Sequence, residues 1–248
     1  MKKIITTIAF IALSTVSAKA IEIGGQTLSI TGGLGSNTSV WGASGKQAKN
    51  SDGLNSASQG DTTTFTTNTT KDTGVFTDDY SSQFVEINVG QWVSIGYNHT
   101  PDSIATPSNV SNEDAAVGPG SSKATVQVDF EDLDTTYIKI NTPYGIYAKY
   151  GHVKTSVNIK ETVNSGNKYA NKDTEGEAYG IGYQKFVGET GFGIRVEGLY
   201  FELDNVTTDN GVVQSAATAA TGGRNVVTAS NLQGLSGSLA VTYTLGRN

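Results

Sequence analysis

The chain contains no cysteine, one methionine, two histidines and four prolines, and only 16% of its 248 residues are charged. Without cysteine there is no disulfide scaffold, thiolate zinc site, iron-sulfur cluster or cysteine nucleophile. The two histidines, His99 and His152, stand at no metal-ligand spacing, so no zinc or other metal site is expected. Acidic residues outnumber basic ones 23 to 17, for a formal charge of -6. No basic patch appears, which argues against nucleic acid as a partner, because that affinity rests on Lys and Arg neutralising phosphates. Beyond the first twenty residues no stretch approaches the roughly 18 uncharged apolar residues of a helical membrane span. What is plentiful is glycine, 30 residues, with Thr, Ser, Asn and Tyr, a composition suited to strands and open loops.

Residues 1–20, MKKIITTIAFIALSTVSAKA, have the layout of a bacterial secretory signal peptide. Lys2 and Lys3 open it, an apolar stretch from Ile4 to Leu13 follows, and Ala18-Lys19-Ala20 closes it. The apolar run is too short for a membrane anchor and is broken by Thr6, Thr7 and Ser14. Cleavage after Ala20 is expected, leaving residues 21–248 as one exported domain. No Cys follows the cleavage point, so a lipoprotein is excluded.

The remainder reads as strands by its period of two. Strand-like alternation covers Gln26 to Gly42, Ser82 to Val89, Trp92 to Thr100, Lys123 to Thr142, Ile146 to Lys160, Glu177 to Val187, Gly191 to Asn205 and Leu235 to Leu245. In the fifth segment the apolar phase passes from Ile146, Ala148 and Tyr150 to Val153, Val157 and Ile159, which predicts a bulge near Gly151. Between the segments the connections alternate strictly. Long polar ones, about 43–81, 101–122, 161–176 and 206–233, take turns with the short Gly90-Gln91, Pro143-Tyr144-Gly145 and Gly188-Glu189-Thr190. The first long stretch is either disordered or carries a small hairpin around Phe65 to Phe76, which would raise the strand count to ten.

An up-and-down barrel that crosses a membrane has short periplasmic turns on one rim and long extracellular loops on the other. The fold expected is therefore all-β, an antiparallel up-and-down transmembrane β-barrel of eight strands, with ten possible. Eight strands of about 9–11 residues each fit the length; a sixteen-stranded pore does not.

If Val, Ile, Leu, Phe and Tyr face lipid, the alternate positions face the lumen. Near the short-turn half these include Glu86, Lys139, Lys149, Arg195 and Glu197. Buried charges must be paired, so a salt-bridge network closing the narrow lumen is expected. The alternative places some of them at a solvent-exposed rim; a Lys or Arg facing lipid at midplane would cost about 2–4 kcal/mol. Trp92, Tyr144, Tyr147, Phe186 and Phe192 lie beside the short turns on several strands. This favours an interfacial aromatic girdle over ordinary core aromatics.

The leader, the eight alternating segments, the GQ, PYG and GET turns and the final SLAVTYTL strand together resemble the small outer-membrane β-barrel proteins of the OmpA, OmpX and opacity-protein type. The resemblance spans all of residues 21–248. It implies an outer-membrane location, with membrane lipids and the barrel assembly machinery as partners. Such families usually end on an aromatic residue that the machinery reads. Here Tyr243 and Leu245 keep the alternation, but Gly246-Arg247-Asn248 follow.

Enzymatic chemistry is weakly supported. His99, near Asp102 and Ser103, is the one general-base candidate, and an ordinary interfacial histidine is the preferred reading. GGLGSN and GIGYQ sit within strand patterns and form no nucleotide fingerprint. GASGK lacks the spacing of a phosphate-binding loop. The acidic stretches with Asp72, Asp78 and Asp79, and with Glu113-Asp114, have no EF-hand spacing and read as solvated loops rather than a calcium site. No cofactor is expected. The function expected is structural or surface-interactive, with an extracellular ligand at the loops. The alternative is a narrow porin-like channel for ions or small solutes, and the third reading a secreted soluble β-sandwich or adhesin.

Overall fold

A computed structural model describes residues 21–52, 65–114, 121–162, 169–211 and 225–246. The expected signal peptide lies outside the described residues. The first strands are β1 (Ile21–Ile23), β2 (Gln26–Asp52), β3 (Phe65–Val89) and β4 (Val93–Thr100). Two short strands follow, β5 (Ile104–Ala105) and β6 (Asn109–Asp114), and then β7 (Ser121–Asn141) and β8 (Ile146–Thr162). The chain ends with β9 (Lys172–Phe186), β10 (Phe192–Leu203), β11 (Val206–Asp209) and β12 (Asn225–Leu245). No helix occurs among the described residues.

All strand pairs are antiparallel, and eight strands close a ring in the order β2-β3-β4-β7-β8-β9-β10-β12, with β12 returning to β2. The closing seam runs from Leu245 opposite Ile30 to Asn225 opposite Lys49. Closure leaves the ring without an open edge, the one way a sheet can satisfy its backbone in an apolar solvent. The short turns are tight. Gly145 has φ +83°, and a Cβ there would stand 2.4 Å from the Gln184 carbonyl oxygen.

The expected connection at 43–81 is mostly strand. β2 and β3 stay in register from Leu28 opposite Val89 to Asp52 opposite Phe65. Among the described residues no extra hairpin joins the ring there, and the ring they form holds eight strands rather than ten. The alternation had faded because both faces of this hairpin meet water, which removes the apolar signal without removing the pairing. β9 likewise starts at Lys172 and β12 at Asn225, inside stretches read as loop; on β9 the buried inward residue there is Thr174, a polar side chain that leaves no apolar alternation.

The bulge expected near Gly151 is absent: β8 pairs without interruption through Gly151 with both neighbours. The register slips instead on β7, between Glu131 and Asp134, where Asp132 takes φ 51°. What changes along β8 is the surroundings. Tyr147, Lys149, Val153 and Val157 all point inward and are buried, while Ile146 and Tyr150 point outward and are exposed. Below Gly151 the inside is polar and the outside apolar; above it the inside is apolar and the outside carries His152, Lys154 and Ser156.

The same inversion divides the whole barrel. At the short-turn end, Val85, Ile87, Val93, Ile95, Ile138, Ile140, Ile181, Ile194, Val196, Leu239 and Val241 form an exposed apolar belt. On β10 the belt runs from Phe192 to Tyr200 and stops at the exposed Glu202, close to the 9–11 residues that cross a bilayer. Beyond it the barrel has an ordinary apolar core, including Trp41, Ile104, Phe130, Val153, Phe201 and Leu232.

Candidate functional site

The lumen behind the belt is built by strand parity. Glu86 of β3, Lys139 of β7, Lys149 of β8 and Arg195 and Glu197 of β10 all point inward, and each is at least nine-tenths buried. Arg195 grips Glu86 with both ends of its fork, Nη1 to Oε1 at 2.8 Å and Nη2 to Oε2 at 2.7 Å. Lys139 Nζ donates to Glu86 Oε2 at 2.6 Å, and Lys149 Nζ to Glu197 Oε1 at 2.9 Å. Two tyrosine hydroxyls complete the carboxylates: Tyr137 donates to Glu86 at 2.8 Å and Tyr147 to Glu197 at 2.7 Å. Gln184 Oε1 accepts from Arg195 Nη2 at 2.7 Å.

Here three cations face two carboxylates, and Lys139 and Lys149 sit directly opposite each other on neighbouring strands. Aromatic faces supply the missing negative potential. Lys149 Nζ lies 4.0 Å above the Tyr137 ring centre, and the Arg195 guanidinium 4.3 Å above that of Phe84. Lys139 Nζ lies 5.1 Å from the Tyr147 ring centre, and the tyrosine rings have room because the residues beside them are glycines. Tyr137 is paired across strands with Gly96 and Tyr147 with Gly182; a Cβ on either glycine would fall 2.4 Å from the ring or closer.

The aromatic residues expected at the short-turn interface divide into two groups. Trp92, Tyr144 and Phe192 point outward, 51%, 82% and 48% exposed. Phe192 packs edge-on against Tyr243, with ring centres 4.8 Å apart. Tyr147 does not belong to the girdle: it is 1% exposed and serves Glu197. Phe186 does not belong to it either. It is half-buried and lines a polar vestibule of about 790 Å³ at the short-turn end, with Thr31, Asn88, Lys139 and Thr244. Parity explains both corrections, since Tyr147 is in phase with Lys149, and Phe186 with Gln184. The same parity marks Tyr137, in phase with Lys139, and Phe84, in phase with Glu86, as lumen residues that a search for charge overlooks.

Above the charged layer, Trp41 stacks between Phe130 and Phe201, with ring centres 6.1 and 5.4 Å away. Ile104 is inserted from the chain between β4 and β7 and is 0% exposed. Below them, Tyr80 donates its hydroxyl to Ser236 at 3.1 Å. Two layers of side chains thus stack inside the barrel, an apolar one and, nearer the short turns, a charged one.

His99 lies on the outer wall and does not meet Asp102 or Ser103. Its Nδ1 is 2.6 Å from Asp134 Oδ1, across the β4–β7 pair. Asp102 accepts instead from Ser81 N, at 2.8 Å, and from the Ser81 hydroxyl. Among the described residues, no group of three acidic or imidazole side chains is placed to hold a metal ion.

No protein-family model matches this sequence, and no curated protein sequence matches it. Among solved structures, the chain is similar to the outer membrane protein OprG from Pseudomonas aeruginosa, at 11% identity and a TM-score of 0.45, covering 85% of this chain and 96% of that one. It is also similar to Ail, the attachment invasion locus protein of Yersinia pestis, at 10% identity and a TM-score of 0.37, covering 86% and 99%. A third is the outer membrane protease OmpT from Escherichia coli, at 8% identity and a TM-score of 0.34, covering 86% and 97%. These neighbours are small bacterial outer-membrane β-barrel proteins.

Proposed function

We propose that this chain is an exported outer-membrane barrel whose lumen is closed and whose work is done by the strands and loops that stand outside the membrane. The observation that carries this reading is the inversion of polarity along the barrel. An apolar belt around a buried charged layer suits lipid outside and a closed lumen inside. An apolar core under a polar exterior suits water. The leader of residues 1–20 fits export, and the short-turn rim then faces the periplasm. On this reading, membrane lipids surround the belt, the barrel assembly machinery inserts it, and an external ligand would meet the extensions of β2, β3, β7 and β12.

The rival reading, a narrow channel, requires a path past both the Trp41 layer and the Arg195 layer. The vestibule at the short-turn end reaches Asn88, Lys139 and Gln184 and includes neither Arg195 nor Trp41 in its lining. The test is conductance of the refolded protein in a planar bilayer, with insertion checked by protease protection of the belt. A silent bilayer is expected; reproducible discrete steps would favour transport.

A further inference from the structure

The charges of the five side chains behind the belt do not cancel. Arg195, Lys139 and Lys149 bring three positive charges and Glu86 and Glu197 two negative ones, all of them buried. Both carboxylates are already shared out. Glu86 accepts from Arg195, Lys139 and Tyr137, and Glu197 from Lys149 and Tyr147. Asp129, the other carboxylate buried among the described residues, is paired with Lys160. One positive charge is left over, and a buried charge without a counter-charge is costly. The ring faces carry no net charge to cancel it. Their help is weakest at Lys139, whose Nζ lies 5.1 Å from the Tyr147 centre, against 4.0 Å for Lys149 over Tyr137.

Lys139 is also the one member of this layer that lines the vestibule of about 790 Å³ at the short-turn end. Among the described residues no Asp or Glu lines that space, in a chain where acidic residues outnumber basic ones 23 to 17. What the lining offers is hydrogen-bond donors. Lys139 gives one of its three N–H groups to Glu86. Arg195 can only donate, so Gln184 must turn its carbonyl oxygen toward it. The Gln184 amide hydrogens therefore face the other way, with a contact of 3.5 Å to the Thr242 hydroxyl. Asn141 gives an amide hydrogen to Ser94 and has a second. The Thr31 and Thr244 hydroxyls meet at 2.8 Å and share one proton between them, which leaves the other to donate elsewhere.

A surplus cation on the floor of a cavity that holds donors and no carboxylate calls for a counter-ion from solution. We propose that the vestibule is a binding site for one small monovalent anion, a halide or a short carboxylate, held at Lys139 with the amide hydrogens of Gln184 and Asn141. On the outer-membrane reading above, the vestibule opens to the periplasm, which then supplies the anion. The site itself rests on the charge count and not on that placement.

The test uses the refolded barrel in non-ionic micelles, unfolded by urea, which brings no ions of its own. Sodium chloride or sodium formate replaces the bulkier sodium gluconate at constant ionic strength. An anion that binds only the folded barrel at one site should raise the folded-to-unfolded ratio about tenfold for each tenfold rise in its concentration above Kd. Gln184→Glu supplies the missing negative charge from within, on a side chain of the same shape already bonded to Arg195. It is expected to be more stable than wild type at low chloride and to lose the anion dependence. Lys139→Met removes the surplus at its source and should lose the dependence too. Lys185→Met changes an exposed lysine of the rim and should keep it. Wild-type stability indifferent to both chloride and formate overturns the proposal. So does a Gln184→Glu barrel with the wild-type dependence, a result that stands whether or not Lys139→Met folds. A response to one anion alone supports the site and assigns its ligand to that class. Cell fractionation reads the membrane placement separately, so a chain missing from the outer membrane sinks that reading and leaves the micelle titration to decide the anion site.

Discussion

Arg195 and Glu86 are 109 residues apart in sequence and are joined across the barrel by two parallel N–H···O bonds of 2.8 and 2.7 Å. The pair ties β10 to β3, which are not neighbours in the ring. A guanidinium suits this place because its fork matches a carboxylate while its flat face lies on Phe84. Glu86 also receives Lys139 and Tyr137, so one carboxylate gathers three strands.

Arg195→Ala is expected to destabilise the barrel by about 3–5 kcal/mol, the usual cost of leaving a buried partner charge uncompensated. Arg195→Lys, which keeps charge but loses the fork, should fall between. Urea titration of the folded and unfolded bands in liposomes measures both, and a midpoint unmoved by Arg195→Ala would show that the network carries no stability.

Gly96→Val places carbon atoms where the Tyr137 ring lies and should cost about 1–3 kcal/mol through overpacking. If that collision is the cause, Tyr137→Ala in the same chain should be less damaging than the sum of the two single changes. A double-mutant cycle on the same titration tests it, and strict additivity would refute the contact.

On the closed-lumen reading the Trp41 layer and the Arg195 layer each bar the path, so losing one alone should not open it. Trp41→Ala is expected to lose about 3–5 kcal/mol of stability as a large-to-small core change and yet remain electrically silent. The double variant Trp41→Ala, Arg195→Ala should conduct intermittently if it inserts. Steps from Trp41→Ala alone would mean that the charged layer is no barrier.

The chain has two tryptophans with opposite surroundings: Trp92 is 51% exposed and Trp41 is 3% exposed. In bilayers of brominated lipid, fluorescence of the Trp41→Phe variant, which reports Trp92, should be strongly quenched. Fluorescence of Trp92→Phe, which reports Trp41, should barely respond. Equal quenching of the two would contradict the girdle and the buried outer layer together.

Period-two alternation and the long-short rhythm of connections were enough to predict the closed, antiparallel, eight-stranded architecture, because a half-buried strand writes its two faces into every second residue. Alternation also grouped Glu86, Lys139, Lys149, Arg195 and Glu197 on one face. Three things were decided only by the tertiary structure. The hairpin of β2 and β3 reaches Asp52 and Phe65, where water on both faces erases the pattern while backbone pairing persists. The phase change around Gly151 is a change of solvent and not of backbone, and only closure of the ring shows which side each phase faces. The partners within the network, Arg195 with Glu86 and Lys149 with Glu197, depend on how eight strands stagger around the ring. That stagger is set by long-range register, as between Thr31 and Thr244, 213 residues apart, whose hydroxyls meet at 2.8 Å, and no local pattern encodes it.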